Sequence, residues 1–422
     1  MMLARAGEHP RLALLLLTGL NFLNYIDRYI LAGVQPLVQD EFHKSNAEIG
    51  LLTSAFLICY MIASPAISWL GDRYSRRNII MAGAIVWSAA TLLTALTRDY
   101  TTMLVRHTVV GIGEASFVAI APAYLGDLFP VERRGRVLSI FYMAIPIGAA
   151  LGYILGGQLG PRYGWRMPFY VCAGPGIAIA MLLLLLRDPQ RGAYDGSQTG
   201  QRLNFPPLTN PPAFLAGLWD FVVKLFSNRA FLTATLGMTM YTFAIGGMSA
   251  WMPTFFLRER NIPLGKGTLI FGGISVLTGF LGTAVGGVLG DRWLSRDHRA
   301  YYLLSAWSMA ACAPLAVLSV FGPRSLMFPT LALALFCLFL NTGPMNTAIV
   351  NSVNAHIRST AIALQIFVIH LFGDATSPTI IGAIADRSSL AYGFIPAFAT
   401  IAASAIVLFC GARYAPVLSK RT

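Results

Sequence analysis

SWLGDRYSRRN (Ser68–Asn78) is a turn with four charged side chains between two long apolar segments of the chain. The segments on either side, 47–70 and 78–97, are each long enough to cross a hydrocarbon layer about 30 Å thick as a helix. Its Gly-Asp-Arg triplet at Gly71 occurs again at Gly290, 219 positions later. The repeated turn predicts a helical membrane protein with two related halves.

The composition of the chain also indicates a membrane protein. Of the 422 residues, 56% are hydrophobic and 12% are charged, whereas soluble domains are about 25% charged. The mean hydropathy is +0.63, and the 26 Phe, 16 Tyr and 7 Trp residues exclude a disordered chain. The first apolar segment, Leu12–Val38, is too long for a signal-peptide core, so we expect it to remain as a span.

Twelve apolar segments are long enough to be spans. They cover approximately 12–36, 47–70, 78–97, 103–127, 135–159, 167–187, 230–256, 266–290, 300–322, 326–350, 360–385 and 391–413. With both termini inside, the cytoplasmic segments carry 20 of the 31 Lys and Arg residues and the external loops carry 9. This asymmetry predicts cytoplasmic termini in an inner or plasma membrane. Because the net charge of +13 is spread over short loops, no nucleic-acid partner is expected.

The longest polar stretch, Arg187–Arg229, divides the chain into an N-terminal six-helix bundle (1–187), a cytoplasmic linker (188–229) and a C-terminal six-helix bundle (230–422). Within the linker, Phe214–Phe226 predicts an amphipathic helix on the membrane surface or against the protein's own cytoplasmic face. We therefore predict an all-α polytopic membrane protein with 12 transmembrane helices in two pseudo-symmetric bundles, which is the architecture of a major facilitator transporter.

Glycines recur every four residues in two of the predicted spans. Span five carries Gly148, Gly152, Gly156 and Gly160, and span eight carries Gly282, Gly286 and Gly290. This spacing favours close packing of two helix backbones over a ligand-binding role.

The charged turn is similar to the signature loop between spans two and three of the major facilitator superfamily. Its acidic and basic positions hold Asp72, Arg73, Arg76 and Arg77, while two glycine positions hold Ser68 and Ser75. The resemblance implies a cytoplasmic latch that holds the outward-open state. The alternative is that the arginines only set the topology.

Charged and polar side chains inside spans are costly, and they are treated as functional by default. A predicted proton-coupling group comprises Asp27 and Arg28 in span one with Glu114 in span four. A predicted substrate cavity comprises Asn21, Asn24, Tyr25, Tyr241, Trp251, His370 and Asp374. We hypothesise that Asp27 and Glu114 compete for Arg28, so that protonating one acid lets the halves move. The competing interpretation is a static set of ion pairs that pins the helices together.

Several longer motifs closely resemble the Spinster family of the major facilitator superfamily. They are NYIDRYILAGVQP (Asn24–Pro36), GLLTSAF (Gly50–Phe56), LGDRYSRR (Leu70–Arg77), VGIGEASF (Val110–Phe117), LSIFYMAIPIGAALGY (Leu138–Tyr153) and IHLFGDATSP (Ile369–Pro378). The resemblance implies transport of sphingolipids or lysophospholipids. It also implies that Asp27, Arg28 and Glu114 take part in proton coupling and conformational switching. Arg106 matches the superfamily's span-four arginine, so the resemblance implies a part in proton coupling for Arg106 as well.

The function expected from the sequence is secondary active transport of amphipathic lipids by a monomer, coupled to protons, with alternating access. A multidrug/proton antiporter, an organic-anion transporter and a lipid-binding receptor that does not transport are the alternatives. Tyr153 replaces the proline typical of drug/proton antiporters. The five cysteines lie in apolar runs without a Cys/His cluster, so no metal site is expected. No cofactor is expected either, and no enzyme activity is predicted.

Overall fold

The structure is a computed structural model, and it describes residues 9–191, 211–354 and 357–417. The described residues form helices and contain no β-strand. The helices are α1 Pro10–Phe42, α2 Asn46–Gly71, α3 Arg76–Ala95, α4 Tyr100–Leu128, α5 Val131–Tyr163, α6 Met167–Leu182, α7 Pro211–Ser227, α8 Arg229–Arg258, α9 Leu264–Leu294, α10 Ala300–Phe321, α11 Arg324–Leu340, α12 Thr342–Ser352, α13 Arg358–Ile369, α14 Ser377–Ala385, α15 Leu390–Gly393 and α16 Ile395–Gly411.

Each of the twelve predicted apolar segments lies on one helix or on a run of consecutive helices. In the described ranges, 11 helical segments are long and apolar enough to cross a membrane. The 33-residue helix α1 is not among them, because buried polar groups such as Asn24 and Asp27 lower its hydropathy. A helix with this composition needs neighbouring helices that cover its polar side.

The predicted linker contains the helix α7, as the amphipathic pattern indicated. Leu225 is buried, whereas Trp219 is 70% exposed and Asp220 pairs with Lys224 at 2.6 Å. Residues 192–210 of the predicted linker lie outside the described part of the chain.

Contacts divide the chain into two compact units. The first unit comprises Met1–Gln198, Met248–Val276 and Pro378–Gly393, and the second comprises Thr199–Gly247, Leu277–Ser377 and Phe394–Thr422. Two stretches of the C-terminal half, 248–276 and 378–393, pack with the first six helices.

The glycine repeats allow close helix packing, as the sequence predicted. In the first unit, a Cβ atom at Gly148 or Gly152 would lie 2.6 Å from a backbone oxygen of α1. In the second unit, a Cβ atom at Gly282 would lie 2.8 Å from the Phe336 oxygen, so α9 and α11 also approach closely. These contacts leave no room for any side chain larger than hydrogen.

Candidate functional site

The polar side chains of α1 lie on adjacent faces of the helix, because residues three, four and seven apart are neighbours. Asn21, Asn24 and Asp27 are 2%, 0% and 3% exposed, so this polar row faces protein. The Asn21 amide donates a hydrogen bond to the Phe141 carbonyl of α5 at 2.8 Å. Asn21 therefore joins α1 to α5, which is a structural role.

Arg28 of α1 pairs with Glu114 of α4. The Nη2 and Nε groups of Arg28 donate to the same oxygen of Glu114, Oε2, at 2.7 and 3.2 Å. The Glu114 side chain is fully buried and the Arg28 side chain is 17% exposed. Two charges in this environment are stable together because each compensates the desolvation of the other, and removal of one would leave the other unpaired.

Three aromatic rings surround the Arg28 guanidinium. Its Cζ atom lies 5.0 Å from the ring centre of Tyr25, 5.3 Å from that of Phe56 and 5.0 Å from that of Tyr60. Cation–π attraction at these distances fixes the guanidinium between α1 and α2. The sequence did not identify Phe56 or Tyr60, although GLLTSAF (Gly50–Phe56) was among the family motifs.

Asp27 lies on a different side of α1 from Arg28. Its Oδ2 atom is 3.5 Å from the Thr91 hydroxyl of α3, and its Oδ1 atom has no hydrogen-bond partner among the described residues. Of the two pairings expected for Arg28, the structure thus contains the one with Glu114.

Asn24 lies on α1 about one helical turn before Asp27 and Arg28. Neither of its polar side-chain atoms makes a hydrogen bond with a described residue. The Oε1 atom of Glu114 also lacks such a bond. Asn24, Asp27 and Glu114 therefore form a buried cluster whose hydrogen-bonding capacity exceeds what the surrounding side chains satisfy.

The other charged groups of α4 lie apart from this cluster. Arg106 donates a hydrogen bond to the Leu93 carbonyl near the end of α3, at 2.7 Å. His107 is 4% exposed and packs against Phe56, with ring centres 5.5 Å apart. The structure therefore gives Arg106 a backbone contact and does not bring it to the Arg28–Glu114 pair.

The remaining predicted cavity residues are distributed over both units. In the second unit, His370 contacts Asp374 through Nδ1 at 2.9 and 3.1 Å within a π-helical turn. In the same unit, the Tyr241 hydroxyl is 3.3 Å from that of Thr342. In the first unit, Trp251 is fully buried and its indole donates to the Pro378 carbonyl at 2.8 Å, so it packs in the protein interior.

The charged turn after α2 makes its contacts within the first unit. Arg76 pairs with Asp127 of α4, and the Arg77 backbone N–H donates to Asp188 at 2.8 Å. Asp72 has a side chain that is 76% exposed and lies 4.0 Å from Arg76. Ser75, at a glycine position of the superfamily pattern, caps α3: its hydroxyl accepts a hydrogen bond from the backbone N–H of Asn78.

At the opposite end of α2, the first unit contains contacts that the sequence did not predict. The Asp386 carboxylate accepts hydrogen bonds from the backbone N–H groups of Asn46 and Ala47 at 2.7 and 2.9 Å, which caps the N-terminus of α2. Arg258 pairs with Asp40 at 2.5 Å. These residues are hundreds of positions apart in the sequence, so no local pattern links them.

Comparison with known proteins identifies the family. The sequence model described as Major Facilitator Superfamily matches residues 17–378. Protein spinster homolog 1 of Xenopus tropicalis is 35% identical over 404 residues, which cover 90% of this chain and 74% of the relative. The human Protein spinster homolog 1 is 36% identical over 394 residues, covering 87% and 71%. This chain belongs to the Spinster family of the major facilitator superfamily.

Solved structures show the same fold. A bacterial homologue of the human lysosomal transporter Spinster, in an inward-facing and unoccupied conformation, aligns with a TM-score of 0.76 at 21% identity over 97% of this chain and 96% of that one. A D-xylose-proton symporter aligns with a TM-score of 0.74 at 16% identity, over 96% and 98%. The predicted all-α major facilitator fold is therefore confirmed. As a Spinster-family member, the chain is a transporter and an integral membrane protein, not an enzyme.

Proposed function

We propose that this Spinster-family transporter moves amphipathic lipids of the lysophospholipid or sphingolipid type. It works as a monomer, couples transport to protons and exposes its site alternately to the two sides of the membrane. Both termini and the segment between α6 and α8 lie in the cytoplasm, which the distribution of Lys and Arg supports.

The observation that carries proton coupling is the arrangement of one arginine and two acids. Arg28 is paired with Glu114, and the second buried acid, Asp27, has no ion pair with a described cation. A buried carboxylate without a counter-charge is stabilised by taking up a proton. The cluster can therefore hold one proton in addition to its ion pair.

In the proposed switch, Arg28 exchanges its partner Glu114 for Asp27. Protonation of Glu114 removes the negative charge that holds the guanidinium and releases both hydrogen bonds. Asp27 and Arg28 are adjacent on α1, so a new pairing requires the guanidinium to leave the rings of Phe56 and Tyr60 on α2 and to turn towards the Asp27 side of the helix, which loosens α1 from α2 and α4. Coupling follows if this shift is favoured in one of the two access states.

The polar contacts near the N-terminal end of α2 support alternating access. Asp386, Arg258 and Asp40 connect the N-terminal six helices to segments of the C-terminal half through a few polar bonds. Such bonds can be broken at small cost once each group is hydrated. We propose that they open in the outward-open state, when the latch residues Asp72, Arg73, Arg76 and Arg77 close the cytoplasmic side.

The lipid substrate is supported by the chemistry around Arg28. A phosphate or other anionic headgroup would meet a partly exposed guanidinium flanked by aromatic rings, and the rings would contact the adjoining apolar part. Tyr241, His370 and Asp374 remain proposed cavity residues, whereas the buried position of Trp251 favours packing.

Uptake into proteoliposomes under an imposed pH gradient tests this function. We expect a lysophospholipid to accumulate when the gradient is present and to equilibrate when it is collapsed. A cationic dye in place of the lipid tests the antiporter alternative, and accumulation of the dye alone would contradict lipid transport. Lipid binding without any accumulation would indicate a receptor.

A further inference from the structure

A second charged cluster lies where α2 ends, α3 begins and the chain leaves α6. Arg73, Arg76, Arg191 and Asp188 line a cavity of about 310 Å³, which also contacts Ser75. Arg76 is paired with Asp127, so its charge is balanced by a neighbour. Two arginines and one aspartate remain, which gives the cavity a net positive charge.

Arg191 is held rigidly at the end of α2. Its guanidinium donates to the carbonyl oxygens of Gly71 and Tyr74 at 3.0 and 2.7 Å, and also to that of Asp72. These acceptors are backbone carbonyls at a helix C-terminus, where a cation is stabilised without being neutralised. The charge of Arg191 is therefore fixed in place and still available to an anion.

Arg73 is the second fixed cation. Its guanidinium lies over the Trp69 ring, 3.9 Å from the ring centre, and donates to the Trp69 carbonyl at 3.4 Å. It forms no ion pair with a carboxylate of the described residues. A planar guanidinium held on an aromatic face loses little entropy when its N–H groups bind a phosphate.

The surface around the cavity is apolar and exposed. Trp69 is 42% exposed and Tyr74 is 61% exposed. Leu184 and Leu185, in the turn between α6 and the cavity residue Asp188, are 50% and 61% exposed. In a membrane protein, Trp and Tyr at the end of a span mark the level of the lipid headgroups. The exposed leucines then lie where acyl chains would pass.

We propose that this cavity binds the phosphate of an anionic lipid headgroup, with Arg73 and Arg191 as the ligating side chains. The adjoining apolar surface favours a membrane lipid over a free phosphate ion. The leaflet is the cytoplasmic one in the proposed topology. The site does not depend on the transported substrate or on proton coupling, since neither arginine contacts the Arg28–Glu114 pair.

Native mass spectrometry of the full-length protein in detergent tests the site. The protein is mixed with phosphatidylglycerol or with phosphatidylcholine, and the retained lipid is counted for the wild type, Arg73→Gln, Arg73→Lys and Arg299→Gln. Arg299 is the matched control. It lies in the loop between α9 and α10, its side chain is 51% exposed, and it is paired with Asp297. We expect the wild type to prefer phosphatidylglycerol and Arg73→Gln to retain about fivefold less of it.

The Arg73→Lys variant, the Arg299→Gln control and competition with inorganic phosphate distinguish the possible results. Arg73→Lys keeps the charge without the planar fork, so an intermediate loss supports the proposal and shows that the turn still folds. Unchanged retention in Arg73→Gln, or an equal loss in Arg299→Gln, would overturn it. Inorganic phosphate that displaces phosphatidylglycerol and itself binds as tightly would overturn the lipid as the ligand. A failed transport assay would leave these results unaffected.

Discussion

Arg28 donates two hydrogen bonds to a single oxygen of Glu114, 86 positions away, while its sequence neighbour Asp27 faces Thr91. Adjacent residues on a helix point about 100° apart, so Asp27 and Arg28 contact different helices. One acid is thereby paired and the other is not. The proposed proton coupling rests on this difference between the two acids.

Removing the unpaired acid tests its proposed role. We expect Asp27→Asn to fold as well as the wild type or better, because the substitution removes a buried carboxylate that has no ion pair. Lipid accumulation driven by a pH gradient should fall by at least about tenfold, since loss of a coupling group removes the driving force and not only a contact. Asn21→Ala is the comparison variant, because Asn21 only bonds the Phe141 carbonyl. Full gradient-driven accumulation in Asp27→Asn would exclude Asp27 as the proton site.

Replacing the paired arginine separates charge from geometry. Arg28→Lys keeps the positive charge, but an ammonium cannot make the same two directed bonds or lie between the three rings. We expect transport to fall and the thermal midpoint to drop, because Glu114 stays buried with a poorer partner. Arg106→Lys should have a smaller effect on both measurements, since the hydrogen bond that Arg106 makes within the described ranges goes to the Leu93 carbonyl and not to a carboxylate. Equal effects of the two substitutions would argue against a special role for the Arg28–Glu114 pair.

The helix packing predicts a clear difference between two glycines. Gly152→Ala would place a Cβ atom 2.6 Å from the Ile26 oxygen, whereas a Cβ atom at Gly174 would meet nothing within 4 Å. We expect Gly152→Ala to destabilise the protein by about 1–3 kcal/mol through overpacking, and Gly174→Ala to be close to neutral. Thermal unfolding in detergent measures both. A neutral Gly152→Ala variant would show that α1 and α5 do not pack this closely.

The cap on α2 predicts a change in accessibility. Asp386→Ala removes the acceptor for the N–H groups of Asn46 and Ala47, a loss of about 1 kcal/mol for a helix cap. A cysteine at the buried position Ser54, which contacts Thr379 at 2.7 Å, should then react faster with a polar thiol reagent. Asp220→Ala on α7 is the control and should leave the rate unchanged. The experiment uses a background without the native cysteines. An unaltered rate in Asp386→Ala would mean that the cap does not maintain the contact between Ser54 and Thr379.

Much of the fold follows from local sequence features. Apolar segments of span length predicted the helices, and the four-residue spacing of Gly148 and Gly152 predicted the close contact with a neighbouring helix. Both features are local: the glycines are about one helical turn apart, and each apolar segment is continuous in the sequence. The family motifs also identified the residues of the buried cluster, because Asn24, Asp27 and Glu114 all lie within them.

The partners of those residues were not predictable. The pairing of Arg28 with Glu114 and not with Asp27 depends on the rotation of α1 about its axis, which the polar pattern fixes only within a broad face. The cap by Asp386 and the grouping of 248–276 and 378–393 with the first six helices depend on contacts between distant parts of the chain. The burial of Trp251 has the same origin, because it is bonded to Pro378.

The proposed proton switch is tested most directly by distances measured at the end of the first unit where Asp386 caps α2. Spin labels at the exposed residues Arg162 and Arg387 would report opening of the contacts made by Asp386, in the wild type and in Glu114→Gln at pH 5 and pH 8. The Gln side chain has the shape of the protonated acid and carries no charge. The proposal predicts a distance distribution that changes with pH in the wild type and is the same at both pH values in Glu114→Gln. A Glu114→Gln variant that folds, loses stability and keeps the full pH response would contradict the switch and indicate a static ion pair.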